Sequence, residues 1–458
     1  MSKNFFKFLF LVILCYVVAS VFVSGTVGLI FIFVLLCLAP LLLKVFSLSL
    51  TSLIICMLFS AFFIPFNYFY FLNILNVFNP ITLLGLVLAL KLFQRKFILK
   101  QNMFSKPDLL DYLYFLFIIC AFISTFSAIS KLGALNWIFY SYITGFLVYK
   151  VISSFGQQDI LKVIKTIIIF ASICAIYGII EFLLFRRSLI FPEIRVGSGR
   201  LTSLLGHPLF NGIIFASMLP LSIVSFLQTQ KKTYLFSSFI LFFAVVLTFS
   251  RGSWLALLFG IIVLLCLIRL KFKVKLAMIF SVLVLLVGLI SPLRGKLQQR
   301  ILQPEYKTFS SWNIRLKSIP IAFQIVKNYP FFGGGPFNAA RYKDRFAAEP
   351  ELRMTSFENS YLGLLVDLGY IGLGIILLII ISTLVRSFFT LWRRKKHTYY
   401  LYLVGVFCSS IIFLLNMATF NFDSHRLFHF FLWLFLSLNV AFIRLLSCTR
   451  VISNSENT

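Results

Sequence analysis

Hydrophobic stretches recur along nearly the whole chain, separated by short polar turns and by one long polar segment, 292–357. Runs of about 17 to 25 apolar residues cross the hydrocarbon core of a bilayer as helices. They fall near 5–23, 27–43, 48–66, 78–93, 110–128, 136–152, 162–185, 207–227, 234–250, 253–270, 275–291, 360–385, 398–418 and 427–447. The pattern predicts an all-α polytopic membrane protein of about 12–14 transmembrane helices, forming a single integral membrane domain over 1–458. The polar segment is far longer than most connections in compact proteins, so it is where chemistry is expected. Inside it, 310–328 reads as a helix, because Trp312, Leu316, Ile319, Phe323 and Val326 recur at three- and four-residue spacing, with Arg315 and Lys317 among them. Pro320 is expected to kink this helix, Tyr329-Pro330 to end it, and Gly333-Gly334-Gly335-Pro336 to form a tight turn. An amphipathic helix with a basic face, held outside the membrane, suits the headgroup surface.

Charge sets the orientation. The chain carries 42 Lys/Arg against 13 Asp/Glu, a balance that in a soluble protein would suggest nucleic acid. With 60% hydrophobic residues and a mean hydropathy of +1.00, the first reading is topological instead, and no nucleic-acid partner is expected. Arg95-Lys96, Lys231-Lys232, Arg269 to Lys275 and Arg393-Arg394-Lys395-Lys396 all fall on one side of the predicted bundle. That side is expected to be cytoplasmic, with both termini on it and the 292–357 loop facing outward. The first hydrophobic run lacks a small-residue cleavage site and reads as a retained helix. The loop itself holds eleven Lys/Arg against four Asp/Glu, a surplus its orientation does not require and a bound anion would explain.

The candidate chemistry gathers at the outward helix ends. Short outer loops are expected to be poor in Lys/Arg, yet Arg186, Arg187, Arg195, Arg200 and Arg251 lie there, and Arg315 lies in the loop helix. Guanidinium groups fork onto phosphate oxygens, so several converging on one cavity would make a diphosphate site; the alternative is that each snorkels to lipid headgroups. Glu358, at the outer start of the 360–385 run, reads either as a cap or ion-pair partner or as the base that accepts a hydroxyl proton. Asp367 and Glu181 lie further into their runs and are either functional or paired with neighbouring groups. His207, in Gly206-His207-Pro208, is either a proton carrier or a helix cap. The eight cysteines sit in or beside hydrophobic runs with no CxxC pair, so neither a disulfide framework nor a zinc site is indicated. No phosphate-binding GxxxxGK[ST] loop, paired-acid metal motif or serine nucleophile elbow occurs, and no cofactor or metal is expected. A transporter or flippase would call for internal repeats or broken helices, and neither is evident in the sequence.

Four segments carry a resemblance. Ser250-Arg251-Gly252-Ser253-Trp254-Leu255-Ala256-Leu257 resembles the SRGxWL turn of the O-antigen ligase and O-antigen polymerase superfamily, and Arg200 to Asn211 is similar to its Arg-rich segment with a Gly-His/Asn-Pro turn. Arg315 through Gly335 resembles its loop helix with a following glycine turn, and Glu358-Asn359-Ser360-Tyr361-Leu362 through Gly369 its His-Asn-x-Tyr-Leu segment. The resemblance covers 165–385 as a ligase- or polymerase-like core. It implies a GT-C-like helical bundle and a metal-independent, inverting glycosyltransferase of the bacterial cytoplasmic membrane. Its substrate would be an undecaprenyl-diphosphate-linked oligosaccharide, with the bilayer, chain-length regulators and flippases as further partners. On this resemblance Arg251, Arg315 and Glu358 are the expected catalytic residues, and Arg200, His207, Asn359 and Tyr361 the expected substrate-binding ones. The ligases carry His where this chain has Glu358, which favours polymerisation of O-antigen, capsule or exopolysaccharide repeat units over ligation to lipid A-core.

Overall fold

A computed structural model of the protein describes residues 47–63, 80–95, 108–185, 200–268, 311–349, 352–353, 357–420 and 426–455. The expected runs 5–23, 27–43 and 275–291, together with Arg186, Arg187 and Arg195, lie outside the described residues. The described helices are α1 (Leu50–Phe63), α2 (Pro80–Phe93), α3 (Leu109–Ser124), α4 (Lys131–Trp137), α5 (Thr144–Ser154), α6 (Gln157–Ile180), α7 (Pro208–Thr229), α8 (Lys232–Leu247), α9 (Arg251–Leu267), α10 (Ser311–Asn328), α11 (Ala339–Phe346), α12 (Ser360–Arg393), α13 (Tyr400–Met417) and α14 (Arg426–Ser455). The protein is an all-α polytopic membrane protein. Six helices among the described residues are long and apolar enough to cross a membrane: Leu109–Ser127, Gln157–Leu184, Pro208–Thr229, Ser360–Arg393, Tyr400–Met417 and Leu427–Ser447.

Six is fewer than the expected 12–14, and the reason is local. Four further runs form apolar helices of 10–17 residues, and 136–152 is divided by a π-helical turn, Ile138–Ile143, between α4 and α5. The remaining three are those outside the described residues.

Helices α7 and α13 form the centre of the bundle and are buried along most of their length. By contrast α3 presents Phe115, Leu116, Ile119 and Ile123 outward, as a lipid-facing helix does. Polar side chains join the buried helices. Asn439 donates to Ser410 Oγ at 2.7 Å and accepts from Ser387 Oγ at 2.9 Å, and Ser238 donates to Ser222 Oγ at 3.0 Å. Such bonds are favoured where lipid offers no competing donor. At the end opposite the loop, Lys150 pairs with Asp111 at 2.8 Å and Arg386 with Asp108, fastening α5 and α12 to the start of α3.

The loop helices have an apolar core of their own. Ile321, Ala322, Ile325 and Val326 of α10 pack with Ala339 and Tyr342 of α11, with Phe357, and with Leu365 and Val366 of α12. The face expected for α10 is thereby corrected. Leu316, Ile319 and Phe323 are exposed, and the buried side is the one through Ser318, Ala322, Ile325 and Val326. The helix continues through Pro320.

A break that was not evident in the sequence occurs in one long helix. Helix α12 is interrupted at Gly369, whose φ of 64° and ψ of −169° lie in a region open essentially only to glycine. The freed backbone groups are taken up by the loop. Tyr370 and Ile371 donate to the carbonyls of Pro330 and Phe331, and Gly334 and Gly335 donate to those of Val366 and Asp367. The glycine turn of the loop is therefore laced to the break in α12, and of the nine helical residues before Gly369, Leu365 and Val366 belong to the loop's core while Leu364 and Leu368 belong to that of the bundle.

Candidate functional site

The site is assembled at the loop end of the bundle from three chain turns. The first precedes α9. Ser250 caps the helix through its side chain, Phe249 adopts φ of +51°, and Arg251 occupies the first helical position. Gly252 permits close packing here, since a Cβ at that position would stand 2.6 Å from Thr419 Oγ1. Ser253 Oγ donates to Asn416 Oδ1 at 3.0 Å, so this turn rests on residues 416–420 at the end of α13. Arg251 is exposed and, among the described residues, has neither a hydrogen-bond nor an ion-pair partner. A cation in the first helical turn stands against the helix dipole, an arrangement that an anion at the same place would relieve.

The second turn, 200–206, lies against the first. Arg200 Nε donates to the Thr248 carbonyl at 2.8 Å, and the Leu201 amide to the Leu247 carbonyl at 2.9 Å. Glu181 is buried beneath it and accepts from Thr202 Oγ1 at 3.2 Å and Tyr177 Oη at 3.3 Å, so the carboxylate ties α6 to this turn. His207, the residue before the α7 span, accepts the Leu209 amide on Nδ1 and caps the helix. Burial, and then the Arg200 charge, push its imidazole down to about 4, which keeps it neutral at pH 7. Its ring lies among Phe210 and Phe420, with centroids 5.1 and 6.3 Å away.

The third turn is the exit from the loop. Ser360 donates to the Phe420 carbonyl through both its amide, at 3.1 Å, and its hydroxyl, at 2.6 Å. Residues 416–420 thus carry the Arg251 turn on one side and the Glu358 turn on the other. Asn359 caps α12, its Oδ1 accepting the amides of Tyr361 and Leu362 at 2.9 and 3.2 Å. Tyr361 Oη donates to the Leu414 carbonyl at 3.0 Å. Both side chains therefore shape the turn. Glu358 itself has φ of +48°, and its carboxylate meets Arg315 of α10 with 3.1 Å between Oε2 and Nη2. Arg315 Nε is buried and has no hydrogen-bond partner. Ser203, Phe249 and Glu358 are three of the five non-glycine residues with positive φ among the described residues, and one lies in each turn. Strain of this kind, of order 1–3 kcal/mol each, collects where a turn must present a particular group.

Asp367 does not reach this cluster. Its buried carboxylate accepts the amides of Phe337 at 2.8 Å and Asn338 at 3.1 Å, capping the start of α11 from outside. Lys343 of α11 was not singled out by the sequence reading, yet it is fully buried, with Nζ 5.3 Å from the Phe357 ring centroid. The available signal was the segment 339–346, whose basic residues cannot all face water on a short amphipathic helix. Among the described residues, no group of three or more His, Cys, Asp or Glu side chains comes together.

A family model described as O-antigen ligase matches residues 236–377. An O-antigen ligase domain is present over this part of the chain. The O-antigen ligase domain begins within α8 and ends in α12 beyond the Gly369 break, so it contains Arg251, Arg315, Glu358 and the glycine turn. Arg200 and His207 precede it; Arg200 joins it through the Thr248 carbonyl, and His207 packs on Phe420, beyond its other end. No curated protein matches the chain.

Proposed function

We propose that the protein is a glycosyltransferase that polymerises lipid-linked oligosaccharide repeat units, taking the growing glycan from undecaprenyl diphosphate. The Arg315–Glu358 pair inside the O-antigen ligase domain is the observation that carries this reading. It puts a diphosphate-matching guanidinium and a proton-accepting carboxylate within one contact of each other, on a turn that shares its support with Arg251.

The chemistry follows from these groups. Departure of a diphosphate builds negative charge that preorganised cations stabilise, and Arg315 and Arg251 supply them. The acceptor is a sugar hydroxyl, and Glu358 takes its proton as the oxygen attacks the anomeric carbon. Attack opposite the leaving group inverts the anomeric configuration. The scheme uses no metal, and residues 165–385 form its core. The loop end faces outward from the bacterial cytoplasmic membrane, and the opposite end, with Lys231, Lys232 and 393–396, is cytoplasmic along with both termini. A flippase delivering the repeat unit and a chain-length regulator are the expected protein partners.

The family description itself favours a second reading, ligation of a finished glycan to lipid A-core or another acceptor. Glu358, at the position where the ligases carry His, favours polymerisation. Single Ala variants of Arg251, Arg315 and Glu358 in the native host separate the two. A polymerase defect leaves single repeat units, whereas a ligase defect leaves full-length chains on the lipid carrier. Unchanged surface polysaccharide in all three variants would sink both.

A further inference from the structure

Arg315 cannot grip a diphosphate with the same arm that holds Glu358. A diphosphate that takes the Arg315 arm now on Glu358 displaces that carboxylate, and Lys343 is a second cation that its charge acts on. Lys343 is fully buried, a rare state for lysine that requires compensation from its surroundings. Its Nζ faces the Phe357 ring, and Phe357 is the residue next to Glu358. Of the negative charges acting on the ammonium, Glu358 comes first and Asp344, its neighbour on α11, second. The backbone on either side of Glu358 is pinned, by burial of Phe357 before it and by the Ser360 bonds to Phe420 after it. Only the side chain has freedom to turn, and its exposure of 29% leaves room for it.

We propose that Lys343 is the positioning residue for Glu358: it takes over the carboxylate when a diphosphate draws Arg315 away, keeping Glu358 in place for the acceptor hydroxyl. This inference rests on the reading of the site given above. Burial lowers the Lys343 ammonium to about 8, and the neighbouring carboxylates oppose that shift, so Lys343 remains mostly charged at pH 7. The consequence is an exchange of partners. Diphosphate binding costs less when Glu358 has a second cation to turn to, and more when it has none.

The test is a double-mutant cycle on the purified full-length chain in lipid nanodiscs, with a short-chain polyprenyl diphosphate as the probe. Lys343→Met is expected to weaken binding roughly fivefold, the low end of coupling between linked sites. Glu358→Gln, which releases Arg315, is expected to bind at least as tightly as the unmodified chain. In the Glu358→Gln background, Lys343→Met is expected to change affinity by less than about twofold, since there is no carboxylate left to exchange. Lys343→Gln carries the same expectations and serves if the Met variant does not fold. Equal weakening in both backgrounds would mean that Lys343 acts only on structure, and no weakening in either would remove it from the site; each result overturns the proposal. If instead the unmodified chain fails to bind the probe, or Arg315→Ala binds as well as it does, the diphosphate reading itself falls.

Discussion

Gly333 and Gly369 meet backbone to backbone, with φ of +69° and +64°, where the loop's glycine turn closes on the break in α12. A Cβ on Gly333 would stand 2.5 Å from the Gly369 nitrogen, and one on Gly369 would stand 2.7 Å from the Gly333 nitrogen and overlap the Phe331 carbonyl. Gly369→Ala adds left-handed strain to steric overlap, together about 3 kcal/mol or more. The expected result is a loop released from the bundle. Limited proteolysis should cut between 311 and 347 in the variant while the bundle survives intact, and equal protection of both chains would contradict the lacing.

Asp367 is expected to matter for the loop's attachment. Its two oxygens accept backbone amides of Phe337 and Asn338, and Asn at this position keeps one acceptor while turning an amide group toward a donor. One unmet buried polar group costs about 1–3 kcal/mol. Asp367→Asn should lower the melting temperature of the purified protein and sensitise the loop to protease, more than Asp344→Asn does on the exposed side of α11.

His207 makes stability depend on acid. Its folded value of about 4 lies below the ordinary imidazole value of about 6.5, so the unfolded chain takes up the proton first. The stability tied to neutral His207 is complete above about pH 6.5 and is lost as pH falls toward 4. His207→Asn keeps an N-cap acceptor without a titrating group. Thermal unfolding of the two proteins at pH 7.5 and pH 5 should show a larger acid-induced drop for the unmodified chain. Parallel curves would remove His207 as the cause.

Arg315 is expected to need its fork as well as its charge. Loss of one preorganised charge-stabilising group typically costs about 10²–10³-fold in rate, which sets the expectation for Arg315→Ala. Arg315→Lys keeps a point charge but gives up bidentate geometry, so its polysaccharide yield should lie between the two. Gel profiles of surface polysaccharide from cells carrying each variant give the comparison. A lysine variant indistinguishable from the unmodified chain would show that charge alone suffices.

Much of the scaffold was legible in the order of residues, because the signals for it are local. An apolar run long enough to span a membrane is complete within some twenty residues, and the expected runs 207–227, 398–418 and 427–447 reappear nearly at their bounds as the spans Pro208–Thr229, Tyr400–Met417 and Leu427–Ser447. His207 was readable as a helix cap for the same reason, since a cap bonds to amides two or three residues ahead. The arginines stood out because they break the charge pattern of short outer loops.

What remained closed to the sequence was every choice among distant partners. Arg315 and Glu358 were each candidates, but nothing in their own segments says that one pairs with the other. The same spacing that marked Leu316, Ile319 and Phe323 as an apolar face could not say which face of α10 meets the loop core, because the helix is apolar on two sides and α11 and Phe357 decide between them. Gly369 looked like one more small residue in a membrane run until the carbonyls and amides of 330–335 supplied the hydrogen bonds that a broken helix leaves open. By itself, then, the sequence determined an all-α membrane bundle, a long polar loop and a set of candidate residues for the proposed chemistry. Only the tertiary structure decided which of those residues touch, because ion pairing, burial and backbone exchange are settled by segments far apart in the chain.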